Sequence, residues 1–128
     1  MVNMSSDNLT LVVMIKEKVI FQSNGKWLYP LFDLEDYLKN QSLDLKNATL
    51  FDKIVGKAAA LLMTRMGAGK IHASVMSKLA MDVFEQFNTP YSYNQAVKRI
   101  QCQTETILST ITDPDEAYHI LCKRAGRC

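Results

Sequence analysis

Cysteine is scarce in this chain and poorly spaced for structural use. Cys102, Cys122 and Cys128 make an odd count and contain no Cys-x-x-Cys pair. That pattern argues against a disulfide framework and predicts reduced thiols in a cytoplasmic protein. Histidine is scarcer still. His72 and His119 stand far apart with no Cys or His at ligand spacing, so no conventional zinc site is expected and no cofactor is implied. No apolar run approaches the ~20 residues a membrane helix needs. The short run Leu9–Ile15 follows a polar start and has no small-residue cleavage site after it, which does not fit a signal peptide. Neither charge sign is in excess: 15 Lys and Arg against 13 Asp and Glu leave +2, a balance that gives no reason to expect a nucleic-acid partner. Internal repeats and low-complexity stretches are also lacking.

What is present suits one ordinary core. The 128 residues are 48% apolar, enough for a single domain over 1–128, with the polar residues 1–7 and the tail 125–128 expected to be flexible. Leu9–Ile15 and Val19–Ser23 are rich in β-branched residues and flank a short charged gap, which predicts a β-hairpin. Asn24-Gly25 marks a turn, and Pro30 opens a helix to about Asn40 with Leu31, Leu34, Tyr37 and Leu38 on one face.

Thr49-x-x-Asp52 has the spacing of a capping box and predicts a helix over Leu50–Arg65, with Asp52 as its capping carboxylate. The centre of this helix, Gly56 to Ala60, is unusually small, a face that would let a sheet or a partner approach closely. Ile71–Val75 reads as a buried strand. Ser74 or Ser77 then caps a helix bearing Ala80, Val83, Phe84 and Phe87, which Thr89-Pro90 ends. Tyr91–Tyr93 and Val97–Cys102 are weaker strand or loop segments, and a short helix is expected near Thr104–Thr112. Asp113-Pro114-Asp115-Glu116 restarts the chain as a helix to about Lys123, with Asp113 as cap and Pro114 as first residue. Alternation of this kind predicts an α/β fold, a three-layer α/β/α sandwich around a mixed sheet.

Three motifs bear on chemistry. Gly67-Ala68-Gly69-Lys70 imitates the end of a phosphate-binding loop, but Thr64 and Ile71 occupy positions that need Gly and Ser or Thr, so it reads as a helix stop. Cys102-Gln103-Thr104-Glu105 sets a thiol at a helix start, where the dipole favours thiolate, and a carboxylate three residues on that fits a general base. A packed, inert cysteine is the simpler reading there. Lys57 is a long cation in a small apolar segment, suited to an anion near a helix N-terminus or else a plain surface lysine.

The stretch Asp52-Lys53-Ile54-Val55-Gly56-Lys57-Ala58-Ala59-Ala60 resembles the signature of a small bacterial family of unknown function with a cytidine-deaminase-like fold. The resemblance runs from Leu9 to the helix start at Asp113–Tyr118. A second family hallmark, Cys-Pro-Met-Glu, looks like Cys102-Gln103-Thr104-Glu105, with Gln103 and Thr104 departing from it. Zinc deaminases carry His-x-Glu at one helix start and Pro-Cys-x-x-Cys at the next. The corresponding segments here are Val55-Gly56-Lys57-Ala58 and Met76-Ser77-Lys78-Leu79-Ala80, without a zinc ligand. The resemblance thus implies a zinc-free deaminase-like domain. Its remaining feature is a cleft between two helix N-termini, with Asp52, Lys57, Ser74 and Ser77 as ligand-binding candidates for a nucleotide or phosphorylated small molecule. Lys57 is expected to pair with phosphate, Ser77 to hold the anion and Asp52 to orient Lys57 or a ribose hydroxyl. The alternatives are an interaction or regulatory subunit that forms a homo-oligomer through the small-residue helix or the hairpin edge, and an enzyme with Cys102 as nucleophile and Glu105 or Asp52 as base.

Overall fold

Residues 9–41, 44–98, 100 and 107–126 are described by the structure, a computed structural model. The hairpin forms as expected from strands β1 (Leu11–Ile15) and β2 (Lys18–Ser23). Lys16 and Glu17 turn it with φ of 50° and 65°, the paired left-handed values that match a two-residue turn to strand twist. Helix α1 (Tyr29–Gln41) follows, then a short 3-10 turn at Leu45–Asn47.

Between residues 48 and 65 the structure departs from the expected single helix. Ala48–Val55 is strand β3, and only Lys57–Arg65 is helical, as α2. Gly56, with extended φ −101° and ψ −172°, separates them and caps α2 without a side chain. Thr49 and Asp52 therefore lie within a strand, and the capping box does not form. The sequence misleads because β3 carries apolar residues on both faces, Leu50 and Ile54 on one and Phe51 and Val55 on the other, which hides the strand period of two.

Strand β4 (Lys70–Ser77), helix α3 (Lys78–Gln86), strand β5 (Tyr91–Val97) and helix α4 (Pro114–Arg124) complete the fold. Ser77 caps α3 by accepting from the Ala80 amide at 3.1 Å, and Asp113 caps α4 by accepting from the Glu116 amide at 3.2 Å. Tyr91 to Val97 is one strand rather than two weak segments. The expected strand end at Cys102 and the helix start at Thr104 lie outside the described residues, and residues 108–110 form a turn.

The five strands make one mixed sheet in the order β2-β1-β3-β4-β5. β1 runs antiparallel to β2 and β3, whereas β3, β4 and β5 are parallel. One row across it reads Phe21, Val13, Leu50, Ile71, Tyr91. Its three middle members are fully buried. At its ends Phe21 meets Tyr37 of α1 and Tyr91 meets Phe84 of α3, with ring centroids 5.4 and 5.8 Å apart, so α1 and α3 cover the same face. Helix α2 packs against α3 and α4 and touches α1. Among the described residues, then, the helices gather on one face, where a three-layer sandwich would also cover the other. That opposite face carries the row Gln22, Val12, Phe51, His72, Ser92.

The small residues Ala58, Ala59 and Ala60 are buried within the chain, so this stretch serves internal packing. Arg65, at the end of α2, ties three helices together. Its guanidinium pairs with Glu35 of α1, donates to Asp115 of α4 at 3.2 Å and lies 3.7 Å from the Tyr118 ring centroid. Cys122, also on α4, is disulfide-bonded. That corrects the expectation of three reduced thiols.

Candidate functional site

The parallel strands deliver their C-terminal ends to one edge of the sheet, the usual place for ligands in α/β folds. A cavity of about 330 Å³ opens there, between the end of β3, the first turn of α2 and the β2–α1 loop. Asp52, Lys53 and Ile54 enter it from β3, Gly56, Ala58 and Ala59 from α2, and Lys26 and Trp27 from the loop. The volume falls at the small end of ligand cavities, which run from ~300 to ~1,000 Å³.

The loop is held in place by short-range bonds. Thr10 Oγ1 donates to the Gly25 carbonyl at 2.7 Å, and the Gly25 amide donates to Ser23 Oγ at 3.1 Å. Trp27 then takes a φ of 56°, a left-handed conformation that bulky side chains rarely adopt. Its indole is two-fifths exposed and meets the Tyr29 ring edge-on, with centroids 5.3 Å apart. A large aromatic held in an unfavourable backbone state beside a cavity is the type of strain found at binding sites. Neither Trp27 nor Lys26 stands out in the sequence as a site residue; the one tryptophan, two residues after the Asn24-Gly25 turn, is the available signal.

Asp52 supplies the site's electrostatics. Burial pushes its carboxyl up to about 7, against the opposing pull of hydrogen bonds from the Ile54 and Lys53 amides. An acid in that range exchanges its proton near neutral pH, so it can donate or accept a hydrogen bond. Lys26, at the solvent-exposed end of the lining, brings positive charge to the same cavity.

The remaining candidates fall elsewhere. Lys57 is buried rather than solvent-facing, and its Nζ donates to the Leu108 carbonyl at 2.6 Å and to the Ser109 carbonyl at 3.4 Å. Ser77 is fully buried as the α3 cap, and Ser74 is half-buried in β4; neither lines the cavity. Of the four ligand candidates, the structure brings only Asp52 to this cavity. Cys102 and Glu105 lie outside the described residues. His72 Nδ1 is 2.7 Å from Ser92 Oγ on the opposite sheet face, a hydrogen-bonded strand histidine, while His119 is exposed on α4. Gly67 has a φ of 78° just past the end of α2, the conformation of a helix stop, which agrees with that reading of the glycine pair.

Comparison with known proteins agrees with this fold. The structure is similar to the crystal structure of a DUF1893 family protein, TM1506, from Thermotoga maritima, with a TM-score of 0.82 and 26% identity over 94% of this chain and 84% of that one. No curated protein matches the chain. Residues 2–124 match the family model described as TM1506, domain of unknown function (DUF1893), and the chain belongs to that family.

Proposed function

We propose that this protein is a zinc-free, deaminase-like domain that binds a nucleotide-type small molecule in the cavity at the end of β3. The observation that carries the reading is Asp52, one titratable carboxyl set into an otherwise largely apolar cavity of about 330 Å³. Few, well-placed polar groups in an apolar recess are the usual makeup of a small-molecule site. The Trp27 indole offers a stacking surface to a planar ring, and Lys26 offers charge to a phosphate. Lys57 enters this reading as a fastener of the wall behind the cavity, not as the phosphate partner that the sequence suggested. The parallel β3–α2–β4–α3 succession, which brings the starts of α2 and α3 to one edge, supports the deaminase-like part. Binding rather than catalysis is the activity proposed.

Trp27 is the sole tryptophan, so the protein's indole emission is a direct reporter of this site. Titration with adenosine, guanosine, cytidine and uridine 5′-monophosphates is expected to quench or shift that emission saturably for at least one of them. No change in emission together with no heat of binding by calorimetry would reject the reading.

A further inference from the structure

The two edges of the sheet are built differently. The β2 edge carries the exposed Lys18 beside the Lys16-Glu17 turn, and its register with β1 shifts between Val13 and Met14. Charge and a bulge are common means of keeping an edge from pairing with another chain. The β5 edge has neither. Tyr91–Val97 holds no charged residue and no proline, and its register with β4 runs unshifted from Ile71↔Tyr91 to Ser77↔Val97. Tyr93 to Ala96 are exposed, and among the described residues no strand lies beyond β5. Described residues further along the chain lie away from this edge, since Ile100 lines the cavity and Leu108 meets Lys57 of α2. We propose that β5 is the interface with a second copy of this chain. The two strands pair antiparallel about a two-fold axis at Asn94, so the sheet continues from one copy into the other.

Which backbone groups face outward follows from one bond. The Ile71 amide donates to the Pro90 carbonyl at 3.1 Å. In a strand the amide and carbonyl of one residue point the same way, and the direction alternates along the chain. Pro90, Ser92, Asn94 and Ala96 therefore turn to β4, while Tyr91, Tyr93, Gln95 and Val97 present their backbone groups to the outside. Antiparallel pairing centred on Asn94 sets Tyr91 against Val97 of the second copy, and Tyr93 against Gln95. Each of these pairs joins two outward residues and exchanges two hydrogen bonds. This register uses the whole strand and leaves none of its outward groups over.

The charges on α3 select a second copy over an unrelated strand. Lys78, Asp82 and Glu85 stand at helical spacing and share one stripe of that helix. Glu85 lies at the Tyr91 end of β5, where it accepts from the Tyr91 hydroxyl at 2.5 Å. Lys78 lies at the other end, directly after Ser77, the register partner of Val97. The axis that brings Tyr91 of one copy to Val97 of the other also brings Glu85 towards Lys78, and does so on both sides of the axis. The stripe is thus complementary to itself in the same antiparallel arrangement that the backbone favours.

The test is the mass of the full chain in solution, by light scattering after gel filtration and by sedimentation equilibrium over a range of concentrations. A dimer is expected. Gln95→Pro deletes an outward amide while leaving the ladder to β4 in place. Asn94→Lys sets two like charges opposite each other at the axis. Each is expected to weaken the dimer by about tenfold or more, the worth of one or two hydrogen bonds, with the far-ultraviolet circular dichroism unchanged. Lys78→Glu and Glu85→Lys should each weaken it at low salt, and the two together should restore it. A chain that is monomeric at every concentration would overturn the inference. A dimer of unchanged strength in both Gln95→Pro and Asn94→Lys would overturn it too, because its interface would lie elsewhere.

Discussion

The Lys57 ammonium donates to the Leu108 carbonyl at 2.6 Å, joining the first turn of α2 to a segment 51 residues further along the chain. Both residues are buried, so this contact replaces water for a charge and a carbonyl that would otherwise be stranded. Lys57→Met keeps most of the stem and deletes the donor. The expected loss of stability is about 1–3 kcal/mol, measured by urea unfolding. Affinity for nucleoside monophosphates should stay within about twofold, whereas a phosphate-binding lysine would lose tenfold or more on the charge-assisted scale.

Asp52 carries a stability signature of its own. Its carboxyl rises from 3.8 to about 7, so the folded chain retains a proton that the unfolded chain releases over that interval. Stability should therefore fall as pH rises from about 4 to about 7 and level off above it. Asp52→Asn is expected to stabilise the protein at pH 8 by about 2–4 kcal/mol, since each tenfold change in proton affinity is worth about 1.4 kcal/mol. At pH 4 the variant should differ little from the parent. Denaturant midpoints at the two pH values check the sign.

The two carboxylates that meet Arg65 should respond unequally. The Glu35 side chain is 11% exposed and that of Asp115 is 76% exposed. Arg65→Met leaves the buried Glu35 carboxylate with the solvent-exposed Lys39 at 3.9 Å and the Tyr118 hydroxyl as its partners, and should cost about 2–3 kcal/mol. Asp115→Ala removes a solvent-screened partner and should cost under about 1 kcal/mol. Thermal unfolding of the two variants in parallel separates these outcomes.

The glycine pair offers a sharper contrast. A Cβ on Gly69 would sit 2.0 Å from the Lys46 carbonyl oxygen, whereas one on Gly67 would meet nothing within 4 Å. Gly69→Ala must push backbone against backbone and should cost about 3 kcal/mol or more. Gly67→Ala bears only the penalty of its left-handed φ, about 1–2 kcal/mol. Equal destabilisation of the two would contradict this packing.

Elements that announce themselves locally were legible in the sequence. The hairpin, α1, α3 and α4 each carry a turn or cap within a few residues of their start, and Ser77 and Asp113 cap as their spacing implies. The boundary at Gly56 was not legible, because a strand buried between two neighbours and a helix buried among three share one apolar character. Ile54-Val55 before the glycine and Ala58 to Leu62 after it were the surviving hints, β-branched on one side and helix-forming on the other. The candidate site is legible in the sequence only at Asp52, whose spacing from Thr49 imitates a helix cap. Its other walls come from the β2–α1 loop and from residues beyond β5, which meet Asp52 only through the sheet order. Lys57 was noticed as unusual, but its carbonyl partners could not be seen, since hydrogen bonds to distant backbone leave no trace in spacing.

The position of β1 between β2 and β3 also bears on how the chain folds. From β3 onward each strand pairs with the next one in sequence, so this half can assemble from short crossover units. β1 reaches β3 only after α1 and the 3-10 turn have been made and the intervening chain has been gathered up. Closing that longer loop has an entropic penalty before any contact repays it. The central crossover units should consequently acquire amide protection early in refolding, with the hairpin docking onto a sheet that already exists. In that order the cavity would be the last part of the molecule to be enclosed.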